Sequence, residues 1–159
     1  MGLDTTHDCW HGSYGSFSIF REKLAEAAGI PLDLMEGFYS EPYSESMEWL
    51  APREGGPLCG DVRGTLIHTW IERHVTKWAP IAWESLKPDV LHVLLDHSDC
   101  DGDIPAEQCA PLADRLEELL PNVGDGAGNW PVGIWRERTQ TFIDGLRLAA
   151  SRGEAVEFR

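Results

Sequence analysis

The residues best suited to chemistry lie in a short stretch near the middle of the chain. Residues 96–103, the acidic loop, have the sequence Asp-His-Ser-Asp-Cys-Asp-Gly-Asp, so four carboxylates crowd around Gly102. Like charges at this density repel one another unless a positive group holds them. Loops that bind calcium or magnesium through oxygen typically have carboxylates two residues apart, a turn glycine and a helix start soon after. All three features occur here, with the helix start at Pro105. We therefore predict Asp101 and Asp103 as metal ligands.

The match to a calcium loop is incomplete at both of its ends. With Gly102 at the sixth loop position, His97 stands where the first carboxylate belongs, and Gln108 stands where a bidentate glutamate closes the shell. Both departures weaken the calcium interpretation. The alternative is structural: the aspartates cap turns and the start of the next helix, where negative charge meets the positive end of the helix dipole.

A second candidate site is the polar segment 4–11, in which two histidines and a cysteine alternate. In an extended segment the side chains of His7, Cys9 and His11 project to one face. They could bind zinc there, with water or a distant carboxylate as the fourth ligand, so Cys9 is also a predicted metal ligand. A surface loop or a metal-free binding pocket also explains these residues.

A more specific hypothesis is that the two clusters meet in one pocket. Such a pocket would join His7, His11 and His97 to Asp99 and Asp101, and a histidine beside an aspartate could serve as a general base. The same set could hold a divalent metal that activates water. The sequence assigns no catalytic residue. The predicted ligand-binding residues are His7, Asp8, Trp10, His11, Tyr14, His97, Ser98 and Asp99.

The charge balance excludes one large class of partner. Lysine and arginine number 13 against 27 aspartates and glutamates, which gives a formal net charge of −14 at pH 7. Duplex nucleic acid needs a positive face and is therefore excluded, whereas a small-molecule ligand held by a few side chains stays possible. No apolar run is long enough to cross a bilayer, and the opening residues lack a basic leader, so we expect a cytoplasmic protein without membrane contact. The sequence does not indicate an oligomeric state.

Apolar spacing predicts a predominantly helical α+β fold in a single domain, residues 1–159. A chain with 42% apolar residues can bury a core without disulfides or metals. Apolar residues recur at three- and four-residue spacing in four segments, and the alternating tail predicts a strand that pairs with the chain start. The predicted helices span 13–29, 66–78, 105–120 and 131–152, with a helical turn favoured over 89–95, a terminal strand over 155–158 and an irregular aromatic segment over 30–61.

Tryptophan is abundant, with seven in the chain. Rings of this size either fill a core or stack against flat ligands, and most of the seven are expected in the core. Trp10, Trp49 and Trp130 lie in irregular or glycine-rich surroundings, so we predict them as pocket walls beside Tyr14 and Arg63.

Segments from both ends and the middle of the chain together form a recognisable pattern. The pattern consists of Gly2-Leu3-Asp4 followed by His7-Asp8-Cys9-Trp10-His11-Gly12, the helix at 17–21, His97-Ser98-Asp99-Cys100-Asp101-Gly102 and the ending 145–159. It resembles a small uncharacterised family of bacteriophage and bacterial proteins, and it does not cover the irregular segment. The resemblance implies a phage or bacterial cytoplasm, where small accessory proteins modify or block host functions, anti-defence roles included.

Three functional hypotheses follow from these observations. The first is a small-molecule-binding accessory protein, in a phage setting one that sequesters a nucleotide-type signal of the host through aromatic stacking and the histidine and aspartate groups. The alternative is a metal-dependent hydrolase that uses the histidine and aspartate cluster with zinc, calcium or magnesium. The third makes the acidic loop a rigid corner that binds no ligand.

Overall fold

A computed structural model of the chain describes residues 2–38, 80–98, 101–124 and 130–159. The chain divides into two compact units, Met1–Ala28 with Lys87–Arg159, and Gly29–Leu86. Compact units of this size need not be separate domains, so the single domain over 1–159 stays a prediction. The predicted helix over 66–78, most of the irregular segment, and the residues Trp49, Arg63, Asp99 and Cys100 lie outside the described residues.

The described part of the larger unit contains helices and very short strands. Its helices are α1 (Tyr14–Ala28), α2 (His92–Leu95), α3 (Ala106–Leu119) and α4 (Ile134–Arg152). Its strands are β1 (Leu3–Asp4), β2 (His11–Gly12), β3 (Asp103–Ile104) and β4 (Val156–Glu157). The predicted predominantly helical α+β fold is confirmed. Among the described residues, no helix has the length and apolar composition that crossing a bilayer requires.

Helix α1 begins and ends where the sequence predicts. The Ser16 N–H donates to the Ser13 hydroxyl oxygen at 3.1 Å, which satisfies one of the free amides at the start of the helix. Gly29 follows the last helical residue with a φ of 71°, a conformation that glycine adopts without strain. The largest buried apolar side chains of this helix are Phe17, Phe20 and Leu24.

The most extensive helix contact in the described residues joins α3 and α4. Apolar side chains at helical spacing are buried on both helices, as their sequences predict. They include Cys109, Leu112 and Leu116 on α3, and Phe142, Leu146 and Ala149 on α4. Helix α4 starts later than the predicted position 131 because Gly133, with a left-handed φ of 83°, immediately precedes it. It ends at the predicted breaker Gly153, whose φ is 66°.

The four strands form two antiparallel pairs, β1 with β2 and β3 with β4. The paired residues are Leu3 with Gly12, Asp4 with His11, Asp103 with Glu157, and Ile104 with Val156. Strand β3 was not predicted, because two residues are too few to establish an alternating pattern.

The segment 156–159 connects the beginning of the chain to the acidic loop. The Asp4 N–H donates to the Arg159 carbonyl at 3.0 Å, and the Arg159 N–H donates to the Asp4 carbonyl at 2.8 Å. The Phe158 N–H donates to the Gly102 carbonyl at 3.0 Å. Successive residues of an extended chain direct their hydrogen bonds to opposite edges. The beginning of the chain therefore lies along one edge of this segment, and the acidic loop lies along the other.

The described residues of the smaller unit, 29–38 and 80–86, form two short pieces joined by main-chain hydrogen bonds. The Ile81 N–H donates to the Leu34 carbonyl at 2.8 Å, and its carbonyl accepts from the Glu36 N–H at 2.9 Å. The Trp83 indole N–H donates to the Glu36 carbonyl at 2.8 Å. Leu32–Leu34 and Trp83–Leu86 are short 3-10 turns.

Candidate functional site

The N-terminal segment, residues 3–12, is not extended as predicted. Thr6–Asp8 forms a 3-10 turn in which His7 has a φ of 60° and a ψ of 19°. The turn gives the three predicted zinc ligands different surroundings, since Cys9 is 1% exposed and the His11 side chain is 90% exposed. The expected common face of His7, Cys9 and His11 is therefore wrong.

Apolar packing explains why the segment turns. Trp10 is 2% exposed, and its ring centroid lies 5.1 Å from that of Phe17 and 5.0 Å from that of Phe20. The guanidinium of Arg138 lies over the Trp10 ring, 4.9 Å from its centroid. Burial of a tryptophan strongly stabilises a fold, so the polar residues around it take whatever positions its packing allows. Trp10 is a core residue rather than the predicted pocket wall.

The same segment lies directly against helix α4 at Gly145. A Cβ atom at this position would lie 2.5 Å from the Cys9 Sγ atom and 2.7 Å from the His7 carbonyl oxygen. Glycine is therefore required here, although it weakens a helix interior. Burial raises the pKa of the Cys9 thiol to about 12, so the thiol stays protonated and is a poor metal ligand.

His7 and His11 bind carboxylates that lie outside the acidic loop. The His7 Nε2 atom lies 2.7 Å from the Glu154 Oε2 atom, and its Nδ1 atom lies 3.0 Å from the Thr6 hydroxyl oxygen. The His11 Nδ1 atom is hydrogen-bonded to the Asp4 Oδ1 atom. Within the described residues, neither imidazole is hydrogen-bonded to the acidic loop. The described contacts therefore do not join the two clusters in the hypothesised common pocket.

Two further predicted ligand-binding residues lie near this segment. Asp8 is exposed and has a left-handed φ of 55°. Tyr14 is half-buried and is the first residue of α1. A role for either residue in binding stays a prediction.

An open cleft of about 500 Å³ lies beside the acidic loop. Helix α2 and the residues after it form one part of the lining. Strand β3 and residues on both sides of this strand form the other part. The described lining residues are His92, Val93, Asp96, His97, Ser98, Asp101, Gly102, Asp103 and Gln108. The structure thus brings together the predicted residues His97, Ser98, Asp101 and Asp103. We refer to this feature as the acidic cleft.

His97 is held in one orientation by its neighbours. Its ring stacks on the Phe158 ring with centroids 3.9 Å apart. Its Nδ1 atom lies 2.7 Å from the Ser98 carbonyl oxygen, which can only accept a hydrogen bond. Nδ1 therefore carries the proton, and Nε2 is the unprotonated nitrogen of the neutral ring. A Cβ atom on Gly102, whose φ is 102°, would lie 3.4 Å from the same Nε2 atom.

His92, the other histidine of the cleft, has an analogous arrangement. Its Nδ1 atom lies 2.9 Å from the Asp89 carbonyl oxygen, so its neutral ring also presents Nε2 as an acceptor. His92 is not among the site residues predicted from the sequence. A signal was present, because His92 and Asp96 are four residues apart and a helix over 92–96 places them on one face.

The charged groups of the cleft are all carboxylates. Asp96, Asp101 and Asp103 are exposed, and no lysine or arginine is among the described lining residues. The Ser98 hydroxyl donates to the Asp101 Oδ1 atom at 2.7 Å. Its hydrogen is therefore already used within the protein. The described lining therefore consists mainly of hydrogen-bond acceptors, with the Gln108 amide as a donor.

A preformed metal site is not found in the part of the chain that the structure describes. No group of three histidine, cysteine, aspartate or glutamate side chains lies there in an arrangement that could hold a metal ion. Of the predicted ligands, Cys9 is in the core, whereas Asp101 and Asp103 are exposed in the acidic loop. Asp99 and Cys100 lie outside the described residues, so metal binding by the complete loop stays a prediction.

A second open groove, of about 610 Å³, lies between α3 and the residues that precede α2. An ion pair occupies its rim, with the Arg115 Nη2 atom 2.8 Å from the Asp89 Oδ2 atom. Burial by itself raises the pKa of Asp89, but hydrogen bonds from Arg115 and from the Leu91 N–H outweigh it, and the pKa lies below its usual value. The ion pair with Arg115 and the hydrogen bond from the Leu91 N–H hold Asp89 at the start of α2, the helix that carries His92.

Comparison of the chain with protein family models, with curated proteins and with solved structures finds no match. The resemblance to a phage and bacterial family therefore stays a prediction.

Proposed function

We propose that this protein binds a small molecule in the acidic cleft. The observation that carries the proposal is the cleft itself, a concave site of about 500 Å³ in which His92, His97 and Gln108 face the same space as three aspartates. Clefts of several hundred Å³ in which a few polar groups converge are candidate sites for small-molecule binding. The orientation of His97 on Phe158 supports the proposal, because a binding group held in advance loses little entropy when a ligand arrives.

The lining favours a ligand that donates hydrogen bonds and carries positive charge. Carboxylates accept hydrogen bonds, and each of the two imidazoles in its neutral form presents Nε2 as an acceptor. An ammonium or guanidinium group complements such a surface and forms short, charge-assisted hydrogen bonds with it. The formal net charge of −14 would in addition attract a cation towards the protein.

The nucleotide-type host signal stays a prediction, and the cleft constrains how such a ligand would bind. A phosphate group placed among Asp96, Asp101 and Asp103 would be repelled, whereas the amino groups of a base would find acceptors. A role as a phage accessory protein also stays a prediction, because it rests on the family resemblance.

Isothermal titration calorimetry tests the proposal with two probes of opposite charge, spermidine and adenosine monophosphate. We expect spermidine to release or absorb heat at low salt, with an affinity that falls as salt is added. The double variant Asp101→Asn/Asp103→Asn should bind about 10-fold more weakly, since each charge-assisted hydrogen bond contributes more than a neutral one. Asp144→Asn is the matched control because it removes an exposed carboxylate on α4, outside the cleft.

The titration has two outcomes that would contradict the proposal. One is the absence of binding heat with both probes over a range of temperatures. The other is a loss of binding free energy in Asp144→Asn, which removes one charge, that is half or more of the loss in the cleft variant, which removes two. Spermidine would then respond to overall charge and not to the cleft. Tighter binding of adenosine monophosphate than of spermidine would reverse the inferred ligand class.

A further inference from the structure

We propose that Thr6, His7 and Glu154 form a second functional site, a hydroxyl nucleophile with a histidine base, which hydrolyses activated esters of small acyl groups. These residues are not part of the acidic cleft, so the proposal is independent of the proposed function. The sequence pattern does not reveal the group, because Glu154 is far from the other two residues along the chain. The group arises where the N-terminal segment meets the residues after α4.

The hydrogen bonds in this group run in one direction, from the hydroxyl to the carboxylate. An ionised Glu154 can only accept, so the His7 Nε2 atom at 2.7 Å carries the proton. Nδ1 of the neutral ring is then an acceptor, and the Thr6 hydroxyl at 3.0 Å can donate to it. A nucleophile, a base and a carboxylate that orients the base are the parts that acyl transfer requires.

The Thr6 oxygen has one further partner that suits a nucleophile. The Glu157 N–H donates to it at 2.9 Å. An N–H donor at this oxygen favours its deprotonated form and so eases the transfer of its proton to His7. Thr6 is half-buried, and the Glu154 side chain is 55% exposed, so a small ester can approach the group from solvent.

The backbone at His7 is held in a conformation that is unfavourable for a residue with a Cβ atom. His7 and Asp8 have consecutive φ values of 60° and 55°. Such values are uncommon outside glycine, although histidine and aspartate adopt them more often than most residues, and Cys9 next along the chain packs closely against Gly145. Backbone strain of this kind occurs preferentially at functional sites, where it sets the direction of a side chain in advance.

The proposed reaction needs neither a metal nor a redox partner. The Thr6 oxygen attacks the acyl carbon while its proton passes to the His7 Nδ1 atom. The leaving alcohol departs with that proton, and the acyl group remains as an ester on Thr6. Water then attacks the acyl carbon, one proton returns through Nδ1 to the Thr6 oxygen, and a carboxylic acid is released. Glu154 takes no part in the proton transfer and holds the ring in place.

The test uses p-nitrophenyl acetate and the full chain. Nitrophenolate release gives the rate, and mass spectrometry locates the acetyl group on the protein. We expect the acetyl group on Thr6, activity retained in Thr6→Ser, and rates about 10²-fold lower in Thr6→Val and His7→Asn. Asparagine is chosen at position 7 because it tolerates a positive φ. Thr141→Val, on the exposed face of α4, is the matched control and should keep the wild-type rate.

Circular dichroism and thermal unfolding establish that each variant is folded. A folded Thr6→Val protein that reacts at the wild-type rate overturns the proposal, because the three residues then serve only to hold the N-terminal segment in place. An acetyl group located on His7 or elsewhere, or no acetylation and no hydrolysis, overturns it equally. If Thr6→Val does not fold, the position of the acetyl group in the wild-type chain and the rate of Thr6→Ser decide the question.

Discussion

The N-terminal segment and the acidic loop contain similar polar residues but differ in what surrounds them. Both combine at least one histidine with aspartates and one cysteine. In the first, Cys9 and Trp10 are buried and the polar groups bond to neighbouring protein groups. In the second, Asp101 and Asp103 are exposed and line an open cleft.

The difference shows that neighbouring apolar residues decide the role of a polar cluster. Burying a tryptophan contributes several times more stability than a surface hydrogen bond, so the backbone of the N-terminal segment follows the packing of Trp10. The described part of the acidic loop has two fixed points, the stacking of His97 on Phe158 and the pairing of β3 with β4. Neither of them buries Asp101 or Asp103, which stay exposed.

Removal of the Trp10 side chain should have the largest effect on the free energy of unfolding, and it tests this comparison directly. We expect Trp10→Ala to lower the free energy of unfolding by about 4 kcal/mol, because it leaves a cavity against Phe17 and Phe20. Chemical denaturation followed by circular dichroism measures the change. A loss below about 1 kcal/mol would mean that packing does not hold the segment.

A second test concerns the close approach of the segment to helix α4. We expect Gly145→Ala to lower the free energy of unfolding by about 3 kcal/mol, because the new Cβ atom would collide with main-chain atoms of residues 7–9. Gly15→Ala is the matched control: it lies in α1 with nothing near its Cβ position, and it should be neutral or stabilise by about 0.5 kcal/mol. Equal effects of the two substitutions would contradict the proposed contact.

The acid dependence of stability tests the element that carries the cleft histidine His92. The pKa of Asp89 is lowered, so its ion pair with Arg115 stabilises the folded state above the unfolded pKa of about 3.9, and this contribution is lost as pH falls. We expect Asp89→Asn to be less stable than wild type by about 0.5–1 kcal/mol at pH 7, and the difference to disappear near about pH 2. Denaturation at several pH values measures it, and a difference that does not change with pH would contradict the assignment.

The smallest expected effect on stability belongs to the acidic loop itself. Asp101→Asn/Asp103→Asn should change the free energy of unfolding by less than about 0.5 kcal/mol, because both side chains are exposed and asparagine keeps an acceptor for the Ser98 hydroxyl. The same denaturation assay measures this change. A large destabilisation, with no change in ligand binding, would support the alternative in which the loop is only a rigid corner.

The sequence by itself determined the described helices and several of their ends. Apolar spacing placed α1, α3 and α4, because a repeat of three and four residues is a local property that any amphipathic helix must show. Ser13 and Gly29 marked the limits of α1 for equally local reasons, a side-chain cap and a left-handed φ. The cluster of His97, Ser98, Asp101 and Asp103 was also recognised, because these residues are close along the chain.

Only the tertiary structure decided what the polar clusters do. It turned the N-terminal segment so that His7 meets Glu154, and it placed Gly145 against Cys9. Each of these contacts joins residues far apart in sequence or depends on which side of a turn a side chain occupies. Local periodicity carries no information about such contacts, since they follow from how the buried side chains of several elements share one core.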